Sequence, residues 1–322
     1  MTAGFVVIGT LAALAGVQAL LVRRDRSRSA APGTMVNRLH VVEMGSGLPA
    51  VVFESGIANS SLSWTKIQPK LAEFTATYSY DRAGLGWSRS TSNVCSLENL
   101  GGDLRTVLEA AQVPKPFILV GHSFGGLIAR YYADQFPADL AGLVLVDPAT
   151  PEEWMSPNRG QRWRLRRAVF FTRAAGVLAY FGIVRFGLWV LLLRKKETPG
   201  PISRFSATLQ RIRFELRKIP AEALPSICAH WSRPGFYWVM AAYLKALPAC
   251  AKLVSKCSLP PQLPITVLSG AHQPPKRLAE HAAIATRHII AAQSAHFIHL
   301  DEPEMVVDAI RDLLRRVVPL TR

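Results

Sequence analysis

Acidic residues are in short supply. Asp and Glu number 22 against 38 Lys and Arg, a formal charge of +16, so the field of the chain favours anionic partners such as acidic lipid or nucleic acid. Nucleic acid is disfavoured in turn: the arginines at 162, 164, 166, 167, 173 and 185 alternate with bulky apolar residues and mark no known reader of bases or phosphates. Cysteine is scarcer still. Cys95, Cys228, Cys250 and Cys257 form no CxxC pair and no Cys/His cluster at metal-ligand spacing, which excludes a zinc motif and a dense disulfide framework. They are expected to be reduced, with Cys250 and Cys257 near enough in sequence to bridge in an oxidising compartment. The glycines of "YDRAGLGWS" (Tyr80 to Ser88) lack the spacing of a phosphate-binding loop, so Asp81 and Arg82 read as loop-stabilising residues. A hydrophobic content of 49% over 322 residues removes the compositional basis for disorder and suffices for a large core.

One absence is local. Thr2 to Val22, "TAGFVVIGTLAALAGVQALLV", carries no charged side chain over 21 residues; as a helix it would be about 31 Å long, the thickness of the hydrocarbon core. It reads as a single membrane span. A cleaved signal peptide would want basic residues before the apolar run, and here Arg23, Arg24, Arg26 and Arg28 follow it. The positive-inside tendency keeps that flank, and the large domain behind it, in the cytoplasm.

After a basic linker (residues 23–36) the periodicity changes. "RLHVVEMG" (Arg38 to Gly45), "PAVVFESG" (Pro49 to Gly56) and the start of "ATYSYDRAGLGWS" (Ala76 to Ser88) are strand-like; Leu97 to Ala111 has helical spacing. A strand at Phe117 to Val120, a helix at Phe124 to Gln135 and a strand at Leu140 to Val146 follow. After a gap come a strand at Pro264 to Gly270, a helix at Pro275 to Thr286, a strand at His288 to Ser294 and a helix at Pro303 to Val317. Alternating strands and helices predict an α/β fold around a mostly parallel sheet with helices on both faces. Its first part is residues 37–150 and its second 261–322. Residues 151–260 have no strand series and are expected as a helical cap insertion over one edge of the sheet. Within it, "AVFFTRAAGVLAYFGIVRFGLWVLLL" (Ala168 to Leu193) is apolar nearly all round but interrupted by Arg173, Arg185 and three glycines. Three readings stand for this stretch: a second span, a helix pair touching the bilayer while its arginines reach lipid phosphates, and a cap packed on the core.

The chemistry begins at "FILVGHSFGGLIARY" (Phe117 to Tyr131). Gly121-His122-Ser123-Phe124-Gly125 is a G-x-S-x-G sequence with Gly126 behind it, preceded by a strand and followed by a helix. On so sharp a strand-to-helix turn, small residues at 121, 125 and 126 let the elements approach and Ser123 is thrust into the open. The turn also aims the first helical amide, that of Phe124, at any anion forming beside the serine. A serine nucleophile needs a base, and the base an orienting acid. His296 in "QSAHFIHLDEP" lies in the loop after the last strand; His299 is the competitor, read as structural. The acid is less plain. The loop after Pro264 to Gly270, "GAHQPPKR", holds no carboxylate, whereas Asp147 ends the strand "GLVLVDPAT"; Glu280 or a water is the alternative. The second oxyanion donor is expected from the turn of "FESGIANSS", at the Ile57 amide after Gly56.

"FESG", "YDRAGLGWS", "LVGHSFGG", "LVLVDP" and "FIHLDEPE", in this order, resemble the α/β-hydrolase fold family, particularly its bacterial esterase-like and lipase-like members. The resemblance covers Arg38 to Asp147 and Pro264 to Arg316. It implies an eight-stranded sheet, a Ser-acid-His chain order met by Ser123, Asp147 and His296, and no cofactor or metal. Three departures stand out. Ser55-Gly56 replaces the usual His-Gly before the oxyanion turn, the acid after the seventh strand is missing, and Ala295 replaces the glycine commonly found before the histidine. Members that open epoxides or cleave haloalkanes need an aspartate where Ser123 stands. The expected activity is hydrolysis of carboxylic esters, hydrophobic or lipid-like, by a membrane-anchored enzyme. An acyltransferase, a C–C bond hydrolase using the same serine, and a non-enzymatic small-molecule receptor are the alternatives.

Overall fold

A computed structural model describes residues 2–28, 31–90, 95–193 and 213–317 of the chain. The first helix, α1, covers Thr2–Arg28. Four strands follow: β1 (Thr34–Val36), β2 (Leu39–Met44), β3 (Val51–Glu54) and β4 (Thr77–Asp81). Next come α2 (Leu97–Ala110), β5 (Phe117–His122), α3 (Phe124–Gln135) and β6 (Leu140–Val146). The insertion contributes α4 (Arg159–Tyr180), α5 (Ile183–Leu193), α6 (Leu224–Trp231) and α7 (Pro234–Val254). The chain closes with β7 (Ile265–Gly270), α8 (Pro275–Ile284), β8 (Arg287–Ala291) and α9 (Pro303–Val317).

The strands form one eight-stranded sheet in the order β1-β2-β4-β3-β5-β6-β7-β8. β1 and β2 pair antiparallel, as do β2 and β4; every other pair is parallel. A parallel strand is covered on both faces, which is why β5 and β6 read as continuous apolar runs. Alternate residues divide between two cores. Val51, Phe53, Ile118, Val120, Val144 and Val146 face one cluster, into which α9 drives Val306, Val307, Ile310 and Leu313 at helical spacing. Val52, Leu119, Leu143, Leu145 and Val267, also fully buried, are out of phase with them and face the other side.

The chain divides into two compact units, residues 32–166 with 242–322 and residues 1–31 with 167–241. The first holds the whole sheet. The second contains α1, α5, α6 and most of α4, and among its described residues it is helical. The division falls inside the segment 151–260: its first sixteen residues and the part from Ala242 onward group with the sheet.

Two expectations need correction. Residues 23–36 are not a plain linker, since α1 continues to Arg28, past the end of the apolar run, and Thr34–Val36 adds an edge strand. Three residues were too few to show a strand period. The last strand ends at Ala291, not Ser294; the chain turns as the Ser294 amide bonds back to the Ala291 carbonyl at 3.4 Å, so His296 stands farther from the strand than its sequence pattern suggests. All four cysteines are free thiols, Cys250 and Cys257 included.

Candidate active site

Parallel strands deliver their carboxyl ends to one edge of the sheet, and loops there converge. Register fixes which ones. Glu54 of β3 pairs with Gly121 of β5, His122 with Val146 of β6, Val146 with Leu268 of β7, and Gly270 with Ala291 of β8. Ile57, Ser123, Asp147, Gln273 and His296 therefore all follow strand ends on the same edge.

Ser123 has φ 54° and ψ −118°, a conformation that L residues rarely adopt. The strain persists because its backbone is tied on both sides. Its amide donates to the Val146 carbonyl at 3.1 Å, and its carbonyl accepts from Gly126 at 2.9 Å and from Ala149 at 3.0 Å. Gly125 shows why the turn must be small: a Cβ there would lie 2.5 Å from the Glu54 carbonyl oxygen and 2.6 Å from that of Ser55. The Ser123 side chain makes no capping bond to α3, and the Phe124 amide belongs to the first turn, which has no intrahelical acceptor.

Asp147 is fully buried and also lies at positive φ, 40°. One carboxylate oxygen accepts His296 Nδ1–H at 2.6 Å and Gln273 Nε2–H at 2.7 Å; the other accepts the Gly270 amide at 3.3 Å. Arg277 lies 3.8 Å away and donates to the Pro148 carbonyl at 2.9 Å. A buried carboxylate so supplied with donors and a cation is the compensated case. With Nδ1–H committed to Asp147, the lone pair of His296 is on Nε2, and the ring is one-third exposed, so that nitrogen is the one able to accept a proton.

His122 donates from Nε2 to the His296 carbonyl at 3.0 Å. Burial first, then the neighbouring His299 and His296, holds its pKa well below the usual imidazole value, so it braces the His296 loop as a neutral ring. His299 is buried with its ring against Trp64 and His122. A second polar chain supports the Asp147 loop. His288 Nε2 donates to Ser269 Oγ at 2.8 Å, Ser269 donates to His281 Nδ1 at 2.6 Å, and His281 Nε2 donates to the Pro148 carbonyl at 3.0 Å. Burial lowers the His281 pKa to about 4.

The turn after β3 has its own clamp. Arg82, almost fully buried, donates to Glu54 Oε1 at 2.5 Å, to the Ser55 carbonyl at 2.6 Å and to the Gly56 carbonyl. In a trans peptide the carbonyl and the following amide point in opposite directions. Holding the Gly56 oxygen toward Arg82 thus turns the Ile57 N–H away from it. The guanidinium also lies over the rings of Tyr243 and Phe124, at 4.9 and 5.9 Å. Burial pushes the Glu54 carboxyl above the usual carboxylate range against the pull of Arg82.

The structure joins Asp147 and His296, the pair expected from sequence, and leaves Glu280 on α8, 4.0 Å from Lys276. Sequence reasoning missed Gln273, which sits in the loop searched for a carboxylate and supplies an amide donor to Asp147 instead. It also missed the chain through Ser269, His281 and His288, whose members are brought together only by β7, α8 and β8. Among the described residues no cluster of His, Cys, Asp and Glu could hold a metal ion.

A profile of the alpha/beta hydrolase fold matches residues 49–196. This chain has the α/β-hydrolase fold. The hydrolase-fold chain is 33% identical over 105 residues to the uncharacterized protein YqjL of Bacillus subtilis, a match covering 33% of this chain and less than half, 42%, of that relative. It is 21% identical to 3-oxoadipate enol-lactonase 2 of Acinetobacter baylyi over 83% of this chain and 89% of the other. Among solved structures, a thermophilic esterase from Thermogutta terrifontis aligns with a TM-score of 0.58 at 21% identity, covering 89% of this chain and 97% of that one.

Proposed function

We propose that this α/β-hydrolase is a membrane-anchored serine hydrolase of carboxylic esters. The observation that carries the reading is the 2.6 Å bond between His296 and buried Asp147 on the sheet edge that also presents the strained Ser123. Ser123 Oγ attacks the acyl carbon while His296 Nε2 takes its proton. The oxyanion is held by the Ile57 and Phe124 amides, and Asp147 fixes the ring and stabilises the imidazolium. Collapse expels the alcohol, which leaves with the proton from Nε2, and an acyl-Ser123 ester remains. Water, deprotonated by the same nitrogen, attacks that ester; the acid departs and Ser123 recovers its proton. The sharing of this fold with an esterase and an enol-lactonase supports the reaction class, and serine rather than aspartate at position 123 argues against epoxide or haloalkane opening.

Hydrophobic, lipid-like esters are the proposed substrates. One described helix, at Phe5–Ser27, is long and apolar enough to cross a membrane and is almost wholly exposed. The arginines after its apolar run favour an orientation with the hydrolase unit in the cytoplasm.

The test is fluorophosphonate labelling of the detergent-solubilised full chain. Wild type should label; Ser123→Ala and His296→Ala should not, and Asp147→Asn should label far more slowly. A folded wild type that fails to label refutes the activated serine.

A further inference from the structure

Within the helical unit, one polar side chain sits where an apolar anchor would least be expected to place it. Gln18, in the last apolar turns of α1, is 3% exposed, whereas Phe5, Ile8, Leu14 and Leu20 of the same helix lie open. Its Nε2 donates to the Ser232 carbonyl at 2.7 Å, and its Oε1 accepts Arg185 Nε–H of α5 at 2.9 Å. Arg185 also pairs with Asp25, two turns farther along α1, at 2.7 Å. Both polar positions on α1 therefore face its helical neighbours, and the arginine of α5 has its charge compensated there. In a membrane, that is how a polar group in an apolar helix is tolerated.

The clasped α5, and α4 that leads into it, are largely apolar on the outside. α4 is graded along its axis: Arg159, Arg162, Arg164, Arg166 and Arg167 crowd its first half, and Phe170, Phe171, Val177, Leu178 and Tyr180 are exposed in its second, where Arg173 is the one exposed charge. At Gly182, with φ +74°, the chain bends by 95° into α5, where Ile183, Phe186, Trp189 and Leu192 are exposed. No acidic residue occurs from Arg159 to Leu193. At 1.5 Å per residue, residues 168–180 extend about 20 Å and the 11 residues of α5 about 16 Å. Each is too short for the ~30 Å hydrocarbon core yet suited to one leaflet.

We propose that residues 167–180 of α4 together with α5 form a wedge entering one leaflet of an anionic bilayer beside α1, with Gln18, Arg185 and Asp25 clasping α5 to α1. The occupant of the exposed apolar surface is lipid. The charged residues of α4 are all basic and match anionic headgroups, and the clasp sets α5 against the end of α1 whose arginines mark the headgroup level. The bend rules out a straight second span for Ala168 to Leu193. The inference rests on reading α1 as an anchor.

An environment-sensitive fluorescent amino acid, placed singly at positions 14, 186 and 109 of the full chain, tests it. The protein is reconstituted in phosphatidylcholine–phosphatidylglycerol vesicles containing nitroxide-labelled lipid. Positions 14 and 186 should be quenched with blue-shifted emission, and position 109, on α2, should stay in water. Quenching at 14 with position 186 as water-exposed as 109 overturns the wedge while keeping the anchor. Quenching at neither removes both, and quenching at 186 alone removes the anchor and with it the three-helix unit proposed here. Gln18→Leu, which breaks the clasp and keeps the apolar run, should lower quenching at 186 and leave position 14 unchanged; an unaltered 186 would remove the clasp.

Discussion

Replacing Asp147 by Asn should abolish most of the activity through the imidazole tautomer and not through unfolding. Asp147 accepts three N–H groups: His296 and Gln273 on one oxygen, Gly270 on the other. An asparagine keeps one acceptor and turns the other into a donor. If its oxygen faced His296, its NH2 would confront the backbone amide of Gly270, which cannot reverse; leaving that buried donor unsatisfied costs about 1–3 kcal/mol. If its oxygen faced Gly270, both other partners could adjust. Gln273 can rotate its amide to offer oxygen, and His296 can accept at Nδ1 by moving its proton to Nε2. That arrangement is fully bonded and is therefore preferred, yet the nitrogen meant to take the serine proton is then occupied. Charge stabilisation of the imidazolium is lost as well. Acid-to-amide changes in such triads cost roughly 10⁴ in kcat, so kcat on a p-nitrophenyl ester should fall by about 10³–10⁴, or some 4–5.5 kcal/mol of barrier, with the unfolding midpoint nearly unchanged. Nitrogen NMR of labelled histidine should show His296 switching tautomer. A loss below tenfold in a folded variant refutes the reasoning.

Gly125→Ala should be among the most damaging one-carbon changes in the chain, because backbone oxygens of Glu54 and Ser55 occupy the space; overpacking of about 1–3 kcal/mol is expected in urea unfolding, and a neutral result would refute the close approach. Arg82→Met combined with Glu54→Gln removes the clamp on the Gly56 carbonyl without stranding a buried charge. It should lower kcat by about 10–100-fold, less than the loss of a whole oxyanion donor, with KM little changed; a rise in KM alone would assign Arg82 to binding. Acid should destabilise the fold before carboxylates titrate. His281, held near 4, stays neutral in the folded protein and protonates near 6.5 when unfolded, so its contribution is complete above pH 6.5 and falls as the pH drops toward 4. About 2 kcal/mol is lost by pH 5, and His122 and His288, lowered in the same direction, add to it. A urea midpoint that is flat between pH 7.5 and 5 would contradict this.

What the sequence made legible was whatever a local pattern encodes. Continuous apolar runs ending in glycine or aspartate located β3, β5, β6 and β7, and the G-x-S-x-G turn located Ser123, because strand burial and a strained elbow each demand particular residues within a few positions. Asp147 and His296 were found by position along the strand order, and their meeting across 149 residues follows from the parallel register. The partners of Asp147 were not legible. Gln273 looks like any polar loop residue until the turn after β7 carries it to the carboxylate. His281 and His288 look like surface or core histidines until α8 and β8 set them on either side of Ser269.

The same distinction explains the two strained residues. Positive φ at Ser123 follows from its motif, but positive φ at Asp147 has no sequence signal, and the two are coupled through the backbone. The Ser123 carbonyl accepts the Ala149 amide and the Ser123 amide donates to the Val146 carbonyl, so the turn after β5 is stitched on both sides of the turn after β6. The Asp147 amide meanwhile bonds to the Leu268 carbonyl of β7 at 2.7 Å. Three adjacent strand ends are thereby tied in sequence, and the cost of two rare conformations, about 1–3 kcal/mol each, is borne by sheet hydrogen bonds that exist whether or not the site does. Pre-organisation of this kind is a property of the sheet edge. It lets a carboxylate after β6, anchored there by Gly270 of β7 and by Gln273, meet the histidine of the loop after β8.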